Sequence, residues 1–244
     1  MSVLLDIAQK LSDEVDALVF ATPVSHVYNP LRYAWPAHAE YLMRYGVAPK
    51  EVMLLGMNPG PFGMAQTGIP FGDVTLIRDW LGIETPIGQP QQSHPKRPIE
   101  GFACHRHEIS GQRLWGWARA CCVTPEQFFT RFFVANYCPL VFMEASGRNR
   151  TPDKLSSAER NTLFAACDRA LVAAVDLLHV QYVIGIGRFA AGRATAALAE
   201  RAVTVSVVPH PSPANPIANQ GWARLMENHL TELGITRPES NLHQ

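Results

Sequence analysis

Val52-Met53-Leu54-Leu55-Gly56-Met57 is an unbroken apolar run, and it stops abruptly at Asn58-Pro59-Gly60-Pro61-Phe62-Gly63. A continuous apolar run this short, bounded by turn residues, predicts a strand buried on both faces. Three further runs repeat the pattern: residues 132–137, 182–186 and 203–208, each rich in β-branched or aromatic side chains. Between them, apolar residues return at helical spacing over 158–178, with Thr151-Pro152 and Ser156 as start signals. Residues 73–81, 111–122, 188–201 and 221–233 also read as helices, and 1–19 reads as an amphipathic one without the apolar core of a signal peptide. Strands alternating with helices imply right-handed crossovers. The expected fold class is therefore α/β, a mainly parallel sheet with helices on both faces.

A chain of 244 residues that is 47% hydrophobic can build one sizeable core, and no linker or repeat divides it. Residues 1–244 are expected to form a single domain. The formal net charge is zero, which excludes a globally basic nucleic-acid binder. The charge is segregated, however. Residues 94–150 hold eight Lys/Arg against four Glu, so that segment is +4 and the remainder −4, which permits a local phosphate-binding face. None of the five cysteines forms a CxxC pair, so buried thiols are expected rather than a metal centre or a disulfide framework. Cys104-His105-Arg106-His107 reads as surface loop. No stretch approaches the roughly 20 apolar residues of a membrane helix. A soluble monomer is expected, cytoplasmic beside the nucleoid, or nuclear in a eukaryote.

The residues just beyond each run are chemically distinctive. Asn58 to Gly63 succeeds the first, Asn136-Tyr137-Cys138-Pro139 closes the second, Gly187-Arg188 succeeds the third, and Pro209-His210-Pro211-Ser212-Pro213 succeeds the fourth. Ligands of open parallel sheets bind outside the carboxyl ends of the strands. The Gly/Pro-rich stretch from Gly56 to Asp73 builds a stiff loop whose backbone can approach a ligand closely. One rival pattern is present: Gly185-x-Gly187-x-x-Ala190 comes after a strand and opens a helix, superficially like a dinucleotide fingerprint. It sits on the third strand, and the next strand ends at Val208-Pro209-His210 without an acidic residue to hold a ribose.

Leu55 to Asp73 resembles the first motif of the single-strand-selective monofunctional uracil-DNA glycosylases, within the uracil-DNA glycosylase superfamily. His210-Pro211-Ser212-Pro213, continuing through Asn215-Pro216 and Asn219-x-Gly221-Trp222, resembles the second. Asn136-x-Cys138-Pro139-Leu140, Ser146-Gly147-Arg148-Asn149 and His94-Pro95-Lys96-Arg97-Pro98 also match, so the resemblance covers most of the chain. It implies a three-layer α/β/α fold around a four-stranded parallel sheet. It also implies DNA, single- or double-stranded and carrying damaged pyrimidines, as partner, and hydrolysis of the N-glycosidic bond without a cofactor or metal.

The resemblance also implies a role for each of several residues. Asn58 holds the attacking water; an amide is a poor base, which suffices if the bond breaks first. His210 stands beside the base O2, where a positioned donor contributes roughly 2.7–4 kcal/mol in comparable sites. Asn136 reads the base, since one amide offers the acceptor and donors that uracil N3–H and O4 require. Phe71 stacks on the flipped ring, worth roughly 1–3 kcal/mol by analogy with single-strand binding. Met57 and Gly60 line the pocket near C5, where a small residue leaves room for a substituent such as hydroxymethyl. Pro211, Ser212, Pro213, Ala214, Asn215 and Pro216 belong to a wedge that enters the duplex. Ala214 is small where better-known animal members carry a larger basic residue, which shifts attention to Ile217. No Lys lies in the loops at the strand ends, so lyase chemistry through an amine is not expected.

Overall fold

The computed structural model describes residues 3–236. Helix α1 (Val3–Asp16) buries Leu4, Ala8 and Val15 along one stripe. The chain continues through β1 (Val24–Tyr28), α2 (Pro30–Tyr33) and α3 (Trp35–Tyr45). The first apolar run forms β2 (Val52–Gly56), and the loop after it carries α4 (Met64–Thr67) and α5 (Val74–Asp79). Next come α6 (Ile109–Cys121), α7 (Pro125–Phe129), β3 (Phe132–Asn136), β4 (Val141–Glu144) and β5 (Asn149–Arg150). The remainder alternates: α8 (Ser157–Leu178), β6 (Tyr182–Ile186), α9 (Arg188–Ala197), β7 (Thr204–Val208) and α10 (Trp222–Glu232).

The four apolar runs pair as one parallel sheet in the order β3-β2-β6-β7. Helices α1, α8 and α9 pack together on one face, while α6, α7 and α10 belong to the other layer. The expected α/β/α architecture is therefore present. β2 is buried at every position. β7 differs: it is an edge strand with one neighbour, and Val207 stays 43% exposed. Helix α8 begins where the sequence signals it. The Ser156 hydroxyl accepts from the Glu159 N–H, and Glu159 reaches back to the Ser156 N–H, a capping box.

A second sheet, antiparallel and in the order β1-β4-β5, lies outside the sequence expectation. It packs through a small cluster that includes Tyr28, Tyr33, Ala65, Ile99, Val141 and Met143. Its Tyr28 hydroxyl accepts from the His94 N–H and donates to the Arg97 carbonyl. That contact ties the segment carrying His94 and Arg97 to this sheet.

The glycines of the dinucleotide-like pattern have packing roles. A Cβ at Gly185 would fall 2.3 Å from the backbone N of Ala191, so only glycine lets α9 lie this close to β6. Gly187 turns the chain at φ +95 and donates its N–H to Val208 O at 2.8 Å. All five cysteines are buried thiols. In the 104–107 segment Cys104 is buried, while His105, Arg106 and His107 are exposed. Among the described residues no helix is long and apolar enough to cross a membrane.

Candidate active site

The carboxyl ends of β2, β3 and β7 open on a cleft of about 320 Å³. Met57, Asn58, Gly60, Phe71, Asn136 and His210 all line it, and so does Ser212. The remaining wedge residues lie outside that lining, and Pro213, Ala214 and Pro216 are exposed to solvent.

The first wall is the loop that succeeds β2, and buried polar side chains lock it. The amide of Gln66 is fully used: Nε2 donates to Pro61 O and Pro98 O, while Oε1 accepts from the N–H groups of Glu100 and Gly101. Tyr33 donates to Ala65 O at 2.7 Å, and His38 bonds Gly68 O at 2.8 Å from helix α3. Burial holds the His38 pKa down to about 4, so that ring is neutral and donates from Nδ1. Trp115 donates to Pro70 O, and Gly111 lets α6 press against the Phe71 carbonyl, where a Cβ would fall 2.0 Å away. The loop ends in an Asp73 cap on α5. Phe71 emerges from this frame at φ +54, in the left-handed region.

Asn58 donates from Nδ2 to Leu140 O at 3.0 Å and to Pro59 O at 3.4 Å. This fixes the amide and leaves Oδ1 as an uncommitted acceptor among the described residues. Asn136 donates only to the weak acceptor Met64 Sδ, at 3.3 Å. Its Oδ1 lies over Gly56, where a Cβ would come within 2.3 Å. Both polar atoms of Asn136 are thus available to an incoming ligand.

The second wall is the loop after β7. His210 Nδ1 accepts the Ser212 N–H at 3.1 Å. An accepting Nδ1 carries no proton, so the proton sits on Nε2 in the neutral ring. Burial also lowers the His210 pKa, which favours that neutral form. The imidazole and the Phe71 ring lie 6.2 Å apart, centroid to centroid. The loop beyond is braced from within: Asn215 Nδ2 donates to His210 O, Asn219 Nδ2 to Pro213 O, and Trp222 Nε1 to Pro209 O. From α6, Arg113 spans the loop, donating to Pro211 O at 3.0 Å and Asn219 Oδ1 at 2.8 Å. Ile217 stands out from this rigid loop, 54% exposed.

Sequence reasoning missed Glu108, Ser110 and Thr151 as cleft residues. Glu108 caps α6 by accepting the Ser110 N–H. Its Oε2 would touch a Cβ at Gly60 at 2.7 Å, and burial raises its pKa. The one signal for it is its place just before an apolar helix, which reads as a cap and not as a site.

A parallel α/β/α sheet whose strand ends gather two amides, a neutral imidazole and an aromatic ring around one small cleft defines a class: enzymes that act on a single planar base. Residues 43–231 match the model of the uracil DNA glycosylase superfamily. The single-strand selective monofunctional uracil DNA glycosylase of Bos taurus is 50% identical over 228 residues, 93% of this chain and 84% of that protein. The protein of the same name from Rattus norvegicus is also 50% identical, over 93% of this chain and 82% of its own length. The fold is similar to that of SMUG2 from Pedobacter heparinus, with a TM-score of 0.65 at 18% identity, covering 93% of this chain and 97% of that one. The chain belongs to the uracil DNA glycosylase superfamily and, within it, to the single-strand selective monofunctional uracil-DNA glycosylases.

Proposed function

We propose that this protein takes uracil, and uracils substituted at C5 such as 5-hydroxymethyluracil, out of DNA and hydrolyses the N-glycosidic bond to leave an abasic site. The observation that carries the reading is the His210 tautomer. With Nδ1 committed to the Ser212 N–H, Nε2–H is the ring's only donor, and no protein acceptor meets it among the described residues. A donor so placed stabilises the negative charge that gathers on the base O2 as the bond breaks.

The roles of the other residues are consistent with this. Extruding the nucleotide costs a few kcal/mol, which a recognised base in a shaped pocket offsets in part. Asn136 gives Oδ1 to uracil N3–H and exchanges its weak Met64 contact for O4. Cytosine reverses those two partners and leaves buried polar groups unpaired. Phe71 covers one face of the ring. Asn58 Oδ1 accepts from a water and aims it at the sugar carbon. The cationic sugar left after bond rupture needs only a weak nucleophile, so an amide suffices where other glycosidases use a carboxylate pair. Gly60 and Gly63 present no side chains to the cleft, and the Glu108 side chain packs against both, so a C5 substituent on this side meets that carboxyl. Of the loop 211–216, the exposed Pro213, Ala214 and Pro216, with the exposed Ile217, enter the space the base vacates, while Pro211 is buried and Ser212 lines the cleft.

Single-turnover release of uracil tests the reading. His210→Ala is expected to slow release by roughly 10²–10³ with little change in DNA affinity. Wild-type rates in that variant would overturn the assignment. A panel of oligonucleotides, each bearing one modified base, ranks uracil against its C5-substituted forms.

A further inference from the structure

We propose that Arg97, Phe62 and Arg106 form a phosphate clamp for the DNA strand that delivers the base; the proposal rests on the glycosylase reading above. Residues 94–150 carry the excess positive charge of the chain, and the fold disposes of those cations unequally. Arg131 pairs with Glu51 and Arg150 with Glu144. Arg113 is committed to the loop after β7. Arg97 and Arg106 have no carboxylate within 4.0 Å among the described residues, and both stand over one ring. Their guanidinium carbons lie 5.5 Å and 4.5 Å from the centroid of Phe62.

Two cations on one ring repel each other. Each gains from the aromatic face, solvent screens much of the repulsion, and an anion beside them adds a favourable partner for both. The geometry fits that role. Arg97 is oriented from behind by Nε donating to Gly147 O at 3.0 Å and Nη1 to Lys96 O at 3.3 Å. Arg106 is exposed, and its guanidinium makes no hydrogen bond to the protein among the described residues. A guanidinium held over an aromatic face keeps N–H donors free at its edge, the groups that meet two phosphate oxygens at once. The place is also apt. Phe62 lies between Gly60 and Gly63, which line the cleft, and Gly147 lies two residues before Asn149, which lines it too. The clamp therefore stands on the cleft rim, where the strand must pass to deliver a base.

Fluorescence anisotropy tests this, using a single-stranded oligonucleotide with a tetrahydrofuran abasic analogue over a series of KCl concentrations. Arg97→Ala/Arg106→Ala is expected to weaken low-salt binding by at least about tenfold and to flatten the plot of log K against log salt by roughly 1.4, about 0.7 for each phosphate no longer neutralised. Arg106→Ala alone removes no protein hydrogen bond, so it reports even if the double variant folds poorly; about half the change in slope is expected. Phe62→Leu retains both charges and removes the platform, so affinity is expected to fall with a slope near wild type. Arg201, paired with Asp176, serves as control, and Arg201→Ala is expected to keep the wild-type slope. A folded double variant with wild-type affinity and slope overturns the clamp. Absence of uracil release by the wild-type protein instead overturns the glycosylase reading.

Discussion

Phe71 sits at φ +54, which costs a residue with a Cβ about 1–3 kcal/mol, and the surrounding hydrogen bonds and close helix contacts hold it there. Such strain is retained where it aims a side chain, and here the ring is aimed into the cleft. Gly56 completes the arrangement. A Cβ there would meet Asn136 Oδ1 at 2.3 Å and the Phe71 ring at 2.7 Å. Gly56→Ala must therefore displace both, and kcat/KM for uracil is expected to fall by roughly 10², the usual cost of an ångström of misplacement; steady-state kinetics on a uracil oligonucleotide check it. The residue types at the site were legible in the sequence, because Asn58, Phe71, Asn136 and His210 stand in motifs of distinctive composition. The His210 tautomer was not, since it depends on a hydrogen bond from Ser212 that only the folded loop creates. That bond has a consequence for pH. The pKa of His210 lies below 6.5, so the ring is neutral above that value and Nδ1 is protonated only below it. Protonation breaks the Ser212 contact. Single-turnover rates should therefore be flat through neutrality and decline only below pH 6.5. An acid limb centred above that value contradicts the assignment.

At the scale of elements, β2, β3 and β6 were legible because burial on both faces writes itself as a continuous apolar run, and the half-exposed edge strand β7 was legible from its β-branched residues. The antiparallel sheet was not, for a physical reason. β5 is two residues long, and β1 reads Val24-Ser25-His26-Val27-Tyr28 without clean alternation. β1 and β4 are held by packing Tyr28, Val141 and Met143 against Tyr33, Ala65 and Ile99, which no local pattern shows. Helix α9 shows the opposite case, where a legible pattern pointed to the wrong chemistry. Gly185 is required for contact with the Ala191 backbone, which cannot move aside. Gly185→Ala is expected to destabilise the protein by about 1–3 kcal/mol or more, as overpacking does. Gly192 lies in the same helix with nothing within 4 Å of a Cβ, so Gly192→Ala should stabilise by about 0.5–1 kcal/mol. Denaturant melts of the two variants should move in opposite directions. A dinucleotide site at Gly185 would instead predict that stability is untouched and ligand binding abolished.

The chain carries no net charge at pH 7; acid adds general positive repulsion, and particular buried groups add a pH dependence of their own. His38 is the strongest of these. It is 7% exposed, joins helix α3 to the loop bearing Phe71, and takes a proton only near pH 4. Above pH 6.5 the ring is neutral in both folded and unfolded chains and contributes no pH dependence. As pH falls from 6.5 towards 4, the unfolded chain binds a proton that the fold refuses, and stability is lost. The slope approaches about 1.4 kcal/mol per pH unit, and the total is about 3 kcal/mol, levelling off below the folded pKa. His210, also lowered, adds to the loss in the upper part of this window. Glu108 acts in the opposite sense: its raised pKa means the fold accepts that proton before the unfolded chain does, offsetting part of the loss on the acid side. His38→Gln isolates the principal component, because the amide can still donate to Gly68 O and does not titrate. Urea unfolding measured across this range should show the variant losing stability less steeply than wild type, by up to one bound proton. Parallel pH profiles for the two proteins would show that the acid sensitivity of the fold arises elsewhere.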